Sequence, residues 1–186
     1  QKAKAVSMEV SSHGLAQDRV AGVQFDVALF TNLTRDHLDY HGSMRAYRNA
    51  KARLFRTPEL KNAVLNLDDP FGAELLARTQ MRGVSVMGFG FNRALPGVLR
   101  GKRLHRLVGR DLRLGANGVG FTVSTPWGEG EIESPLVGRF NASNLLATLA
   151  VLLTSDCTLD DALGAVRKVR PVPGRTERYG GGRRPL

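Results

Sequence analysis

Apolar positions fall along this chain in two rhythms. Ala3 to Val10 and Phe25 to Leu33 are short β-leaning runs, each followed at once by polar residues, which predicts two buried strands with chemistry at their ends. From Ser43 the rhythm turns helical. Met44, Tyr47, Leu54 and Phe55 mark an apolar stripe, Ser43 is placed to cap its first turn, and Pro58 stops the chain beyond it. Lys51 falls four residues after Tyr47, near the edge of that stripe. Asn62 to Leu67 predicts a third strand, Asp68-Asp69-Pro70 opens a helix through about Arg78, and Gly83 to Phe89 predicts a fourth strand. This alternation predicts an α/β fold: a mostly parallel, doubly wound sheet flanked by helices.

After Arg93 the grammar changes to a smaller antiparallel β meander. Asp111 to Leu114, Gly120 to Ser124 and Gly130 to Glu133 are separated by the turn signals Asn117-Gly118 and Pro126-Trp127-Gly128, and should pack on an edge of the main sheet. Helices resume at Asn141 to Leu153 and at Leu159 to Lys168, the second capped by Thr158. The last stretch, "RPVPGRTERYGGGRRPL", has no core-forming periodicity beyond Tyr179 and reads as a linker.

Composition narrows the class. With 186 residues, 42% of them hydrophobic, the chain can bury one core with an appendage. No apolar run approaches the roughly 18 residues that span a bilayer, and Gln-Lys-Ala-Lys is no signal peptide, so a soluble cytoplasmic protein with no membrane partner is expected. A single cysteine, Cys157, excludes an internal disulfide framework and reads as a small core residue. The formal charge of +10 would attract nucleic acid or phosphorylated small molecules alike; with only 6% aromatic residues, a solvated basic face is the expectation rather than a nucleic-acid groove.

Candidate chemistry lies at the predicted strand ends. A carboxylate at Glu9 could hold Mg²⁺ against nucleotide phosphates, or form a surface ion pair. His37, in "TRDHLDYH", could join it as a ligand or simply be solvated. His13, His41 and His105 do not fit zinc spacing and are assigned structural roles. Lys51 either snorkels to solvent or, with its pKa lowered by burial, reacts with CO₂ to give a carbamate. Asn141 and Asn144, one turn apart in "GRFNASNLLATLAVLL", are either caps or a pair that recognises a purine or ribose. Arg175, in "VPGRTER", is either a phosphate fork or part of the basic tail. A GxxxxGK[ST] phosphate loop is missing; the one Gly-Lys pair, Gly101-Lys102, precedes Arg103 in the meander.

Together "MEVSSHGLAQDRV", "FTNLTRDHLDYHGSMRAYRNAKARLF", "AVLNLDD", "GEIESPLVGRFNASNLLATLAVLL" and "VPGRTER" resemble the central domain of the bacterial Mur ligases, in order over nearly the whole chain. The resemblance is to the branch that adds the third peptide residue to UDP-N-acetylmuramoyl-L-alanyl-D-glutamate in peptidoglycan precursor synthesis. It implies an ATP-dependent amide ligation through an acyl phosphate. It also implies Glu9 and His37 as Mg²⁺ ligands, and Lys51 as a carbamylated lysine that helps hold a second metal. Asn141, Asn144 and Arg175 match nucleotide contacts; Ser11, Gln17 and Arg19 match contacts to the UDP-muramoyl peptide. The incoming diamino acid would be meso-diaminopimelate or L-lysine, and likeness to Gram-negative versions leans toward the former.

The resemblance also implies parts not found here: an N-terminal domain for the UDP moiety, a phosphate loop ahead of the Glu9 strand and a C-terminal domain for the amino acid. Residues 1–170 are therefore expected to be a partial central domain lacking its phosphate loop, and 171–186 a linker, the fragment being inactive alone. Rival readings are a ligase like folylpolyglutamate synthase and a non-enzymatic basic module that binds nucleic acid.

Overall fold

The computed structural model describes residues 3–80, 83–92 and 104–171. Six strands form one sheet in sequential order: β1 (Val27–Phe30), β2 (Asn62–Asn66), β3 (Ser85–Gly90), β4 (Leu104–Gly115), β5 (Gly118–Thr125) and β6 (Gly128–Ser134). The first four are parallel, with Phe30 opposite Leu65, Leu65 opposite Gly88 and Phe89 opposite Leu107. β4, β5 and β6 are antiparallel, joined by two-residue turns between Gly115 and Gly118 and between Thr125 and Gly128. The meander therefore continues the main sheet. β4 begins at Leu104, well before the expected Asp111, because its first half pairs with β3 and only its second half belongs to the hairpins.

Helices cover both faces, which is why β2 carries the uninterrupted apolar run Ala63-Val64-Leu65 and has four of its five residues buried. On one face α5 (Arg139–Thr154) and α6 (Leu159–Arg167) pack over Val64, Met87, Phe121 and Ile132 through Leu145, Leu149 and Leu163. On the other, α4 (Pro70–Gln80) and a 3-10 turn (Arg53–Arg56) cover Phe30, Leu65 and Val86 through Phe71, Leu75 and Phe55. Alternation along β2 and β3 sends Val64 and Met87 one way and Leu65 and Val86 the other. The remaining helices are α1 (Ser12–Ala16), α2 (Leu38–His41) and α3 (Met44–Ala52). The Ser43 and Thr158 hydroxyls accept from Ala46 N and Asp161 N, capping α3 and α6 as expected. No helix among the described residues is long and apolar enough to cross a membrane.

Two expected strands differ. Residues 3–10 are not in a strand: they run without regular structure, with Val6 83% and Met8 51% exposed, and they do not pair with β1, whose outer edge stays open among the described residues. Glu9 thus precedes α1 on an irregular segment rather than ending a strand. β1 stops at Phe30 instead of Leu33 because the next carbonyl, of Thr31, accepts from the Asn66 side chain at 2.6 Å and Leu33 N donates to Asp69 at 2.8 Å. The excess of basic residues is partly paired on the surface: Arg110 with Glu129, and Arg113 with Glu131 and Glu133, on the outer face of the meander. Cys157 is partly buried against the α5–α6 core. The tail from residue 172 lies outside the described residues.

Candidate active site

The approach to the site is built by three short helices packed together near the exit of β1. Ser11 caps α1, its Oγ accepting from Gly14 N at 3.0 Å, and α1 lies against α3. This packing gathers residues far apart in sequence. The His13 ring lies 4.8 Å from His37, 4.2 Å from Tyr40 and 5.4 Å from His41. His41 stacks on the buried Tyr47 at 5.3 Å, and its Nε2 is 3.0 Å from Ser12 Oγ. His13 and His41, assigned scaffolding roles from spacing alone, form the wall behind His37. His105 stands elsewhere, tilted over Trp127 at 5.4 Å.

His37 carries backbone strain. It enters α2 with φ 53° and ψ 27°, a left-handed conformation that costs a non-glycine residue on the order of 1 kcal/mol or more. Asp36 holds it there: its Oδ1 accepts from His37 N at 2.8 Å while Oδ2 lies 3.5 Å from His37 Nε2.

Lys51 sits in the last turn of α3, half-buried, with Nζ 5.3 Å from the centre of the Tyr47 ring. Burial pushes its pKa below the ordinary lysine value, against the opposing pull of Glu9 and then Asp36. Burial also raises the Tyr47 pKa, with Asp36 adding to it. Glu9, Asp36 and Lys51 therefore share one electrostatic neighbourhood. Burial lowers the His41 pKa, helped by His13 and His37, opposed by Asp39 and further lowered by Lys51.

Among the other sequence candidates, Gln17 is exposed and donates from Nε2 to Tyr40 Oη at 3.1 Å, and Arg19 is exposed. Asn141 and Asn144 lie in the first two turns of α5, but neither is the cap; that is Gly138, at φ 90°. Asn141 instead donates from Nδ2 to Val137 O at 2.8 Å, and Asn144 is exposed. Arg175 lies outside the described residues. Among the described residues no three His, Cys, Asp or Glu side chains gather closely enough to enclose a metal. The site is an open surface: a cavity of about 320 Å³ between the exit of α1 and the 3-10 turn, lined by Leu15, Asp18, Val23, Arg53 and Pro58 among others, includes none of the candidate residues.

The strand end "NLDD", expected only to open a helix, also ties neighbouring loops together. Asp69 accepts from Leu33 N and Phe71 N, each at 2.8 Å, and Asp68 accepts from Phe91 N at 2.8 Å and Asn92 N at 2.9 Å. Three acidic or amide-bearing residues, Asn66, Asp68 and Asp69, at the end of an apolar strand were the available signal. Close packing enforces the turn: a Cβ at Gly72 would meet Asn66 O at 1.8 Å, and one at Gly90 would meet Asp68 Oδ1 at 2.6 Å.

A helix-flanked, largely parallel sheet with polar loops beyond its carboxyl ends defines an α/β domain. The family model for the Mur ligase middle domain matches residues 1–152, and the chain belongs to that family. It is 46% identical to UDP-N-acetylmuramoyl-L-alanyl-D-glutamate--2,6-diaminopimelate ligase of Nitrosomonas europaea over 186 residues, covering 100% of this chain and 36% of that protein. The Pseudomonas aeruginosa protein of the same name is 47% identical, over 99% of this chain and 36% of its own length. A solved structure of a ligase of that name superposes with a TM-score of 0.74 at 34% identity, covering 89% of this chain and 32% of the other. MurF from Acinetobacter baumannii shares the fold, with a TM-score of 0.69 at 22% identity, over 85% of this chain and 32% of MurF. The chain spans about a third of the length of the relatives it matches.

Proposed function

We propose that this chain is the central part of an ATP-dependent ligase that joins a diamino acid, meso-diaminopimelate, to UDP-N-acetylmuramoyl-L-alanyl-D-glutamate. The single observation that carries the reading is Lys51, half-buried, its pKa lowered by burial against the electrostatic pull of Glu9 and Asp36, in a chain 46% identical to a ligase of that name. Residues 1–170 then form the middle domain and 171–186 lead to a following one.

In the reaction, a carboxylate oxygen of the muramoyl dipeptide attacks the γ-phosphorus of ATP, and the bond to the bridging oxygen of ADP breaks. The amine of the diamino acid then attacks the acyl carbon; phosphate leaves, a proton is lost and an amide remains. Catalysis of such a transfer is mainly positioning and charge neutralisation. Mg²⁺, when bound, supplies neutralisation of the phosphate charge. Of the two donors, Glu9 offers the hard carboxylate oxygen that Mg²⁺ takes and His37 a softer imidazole nitrogen; water and phosphate oxygens would complete the shell.

This chain's residues have the following parts. Glu9 and His37 would hold the ion. Burial keeps a fraction of Lys51 as the neutral amine, whose Nζ forms a bond to the carbon of CO₂ and gives up one proton, converting a cation into a carboxylate-like ligand. Tyr47 and the histidine wall exclude water from one side of that group. Asn141 and Asn144 meet the nucleoside, with Arg175 near the phosphates. Ser11, still able to donate its hydroxyl proton while capping α1, joins Gln17 and Arg19 in holding the muramoyl peptide.

The test is a product assay on the intact protein that contains this chain, with ATP, Mg²⁺, the UDP-muramoyl dipeptide and either meso-diaminopimelate or L-lysine. A tripeptide product with diaminopimelate and release of ADP is expected. Product only with L-lysine would correct the substrate, and glutamylation of a folate without use of the muramoyl dipeptide would overturn the reading.

A further inference from the structure

The turn Asn66-Leu67-Asp68-Asp69 leaves the central strand β2 and spends its side chains on both neighbours. Toward β1, the Asn66 amide donates to Thr31 O at 2.6 Å and the Asp69 carboxylate accepts from Leu33 N at 2.8 Å. These two contacts hold the loop that runs four residues on to His37. Toward β3, the Asp68 carboxylate accepts from Phe91 N and Asn92 N. Phe91 in turn lies under the Arg139 guanidinium, 5.5 Å from its ring centre, at the start of the helix that carries Asn141 and Asn144.

The turn is itself braced. Asn66 Oδ1 accepts from Asp68 N at 3.0 Å, Asn66 is buried, and Asp69 caps α4 through Phe71 N ahead of Pro70 at the first helical position. All four carboxylate oxygens of Asp68 and Asp69 accept a backbone N–H, so these acids are committed to loops rather than presented to a ligand. Hydrogen bonds to a charged acceptor are the stronger kind, and each here joins segments 23 to 36 residues apart, apart from the cap.

We infer that this four-residue turn positions both halves of the proposed site, with separable duties. Asp69 and Asn66 set the loop that delivers His37; Asp68 sets the exit of β3 on which Arg139 and the Asn141 end of α5 rest. Both acids spend their carboxylate oxygens on backbone N–H groups, so both are positioning residues. The inference rests on the roles proposed above for His37 and Asn141.

The test compares Asp69→Asn with Asp68→Asn in the intact protein. Asp69→Asn is expected to raise the Mg²⁺ concentration for half-maximal rate about tenfold, as for outer-shell partners of metal ligands, with the KM for ATP little changed. Asp68→Asn should instead raise the KM for ATP several-fold and leave the Mg²⁺ requirement alone. A second readout needs no activity: Mn²⁺ titrated against the ring ¹H–¹³C signals of His37 should broaden them at about tenfold higher concentration in Asp69→Asn than in wild type or Asp68→Asn. Equal Mn²⁺ titrations in wild type and Asp69→Asn would overturn the inference while leaving His37 as a ligand. Absence of broadening even in wild type would remove the metal role of His37, and the inference with it. If Asp69→Asn does not fold, Asp69→Ser keeps a cap for Phe71 but is too short to reach Leu33, and the same two outcomes decide.

Discussion

Lys51 Nζ lies 5.3 Å from the centre of the Tyr47 ring, one helical turn earlier on α3. The ring fixes where the amine can go: it is held at the edge of the apolar stripe, half out of water, where Glu9 and Asp36 pull against the effect of burial. A lysine free to snorkel would lose that constraint.

Lys51→Ala in the intact protein is expected to lower kcat about a hundredfold, the scale for removing one preorganised charge-stabilising group. Acetate or formate added to the variant should restore part of the rate. Unchanged kcat would remove Lys51 from the site, and loss without carboxylate rescue would leave it cationic.

His41 makes the fold sensitive to mild acid. Its folded pKa lies below 6.5, chiefly through burial. As pH falls below 6.5 the unfolded chain takes up a proton that the folded chain refuses, so stability drops until the folded pKa is passed; above 6.5 the group contributes no slope. Denaturant midpoints measured from pH 8 to pH 5 should fall below about 6.5, and His41→Gln should show a shallower fall over the same range.

Two helical glycines should respond oppositely to alanine. Gly72→Ala drives a Cβ against the Asn66 carbonyl, where backbone stands in the way, and should destabilise by about 3 kcal/mol. Gly164→Ala in α6 meets nothing within 4 Å and should stabilise by about 0.5–1 kcal/mol. Thermal melts of the two variants check both signs.

Thr158 starts α6 by accepting from Asp161 N at 3.2 Å. Thr158→Ala should cost about 1 kcal/mol, and Thr158→Ser should recover most of it. Equal midpoints for all three proteins would show that α6 is held by its buried Ala162, Leu163 and Val166 alone.

Elements governed by near neighbours were legible in the sequence. Ser43, three residues before Ala46, announced α3, and the two-residue turns of the meander announced β5 and β6. Residues 3–10 were misread because β propensity describes a surface ready to be paired, and pairing needs a strand supplied from elsewhere. The strand-end network was silent for a related reason. Asp69 finds Leu33 across 36 residues and Asp68 finds Phe91 across 23, so no local pattern marks either contact. His13 likewise reaches His37 only after α1 docks on α3, which residue spacing cannot express. The proposed ligands were read from motif resemblance, while the wall behind them came from tertiary packing.

The sequential strand order has a consequence for how the chain assembles. Every ladder joins strands that are consecutive among the described residues, so no pairing must wait for a distant segment to thread between two others. The β4–β5–β6 hairpins close through two-residue turns and can form on the microsecond scale, roughly 1–10 μs. The parallel pairs need their crossovers in place first and should follow more slowly. β4, paired with both kinds of neighbour, is where the fast half of the sheet becomes the template for the slow half.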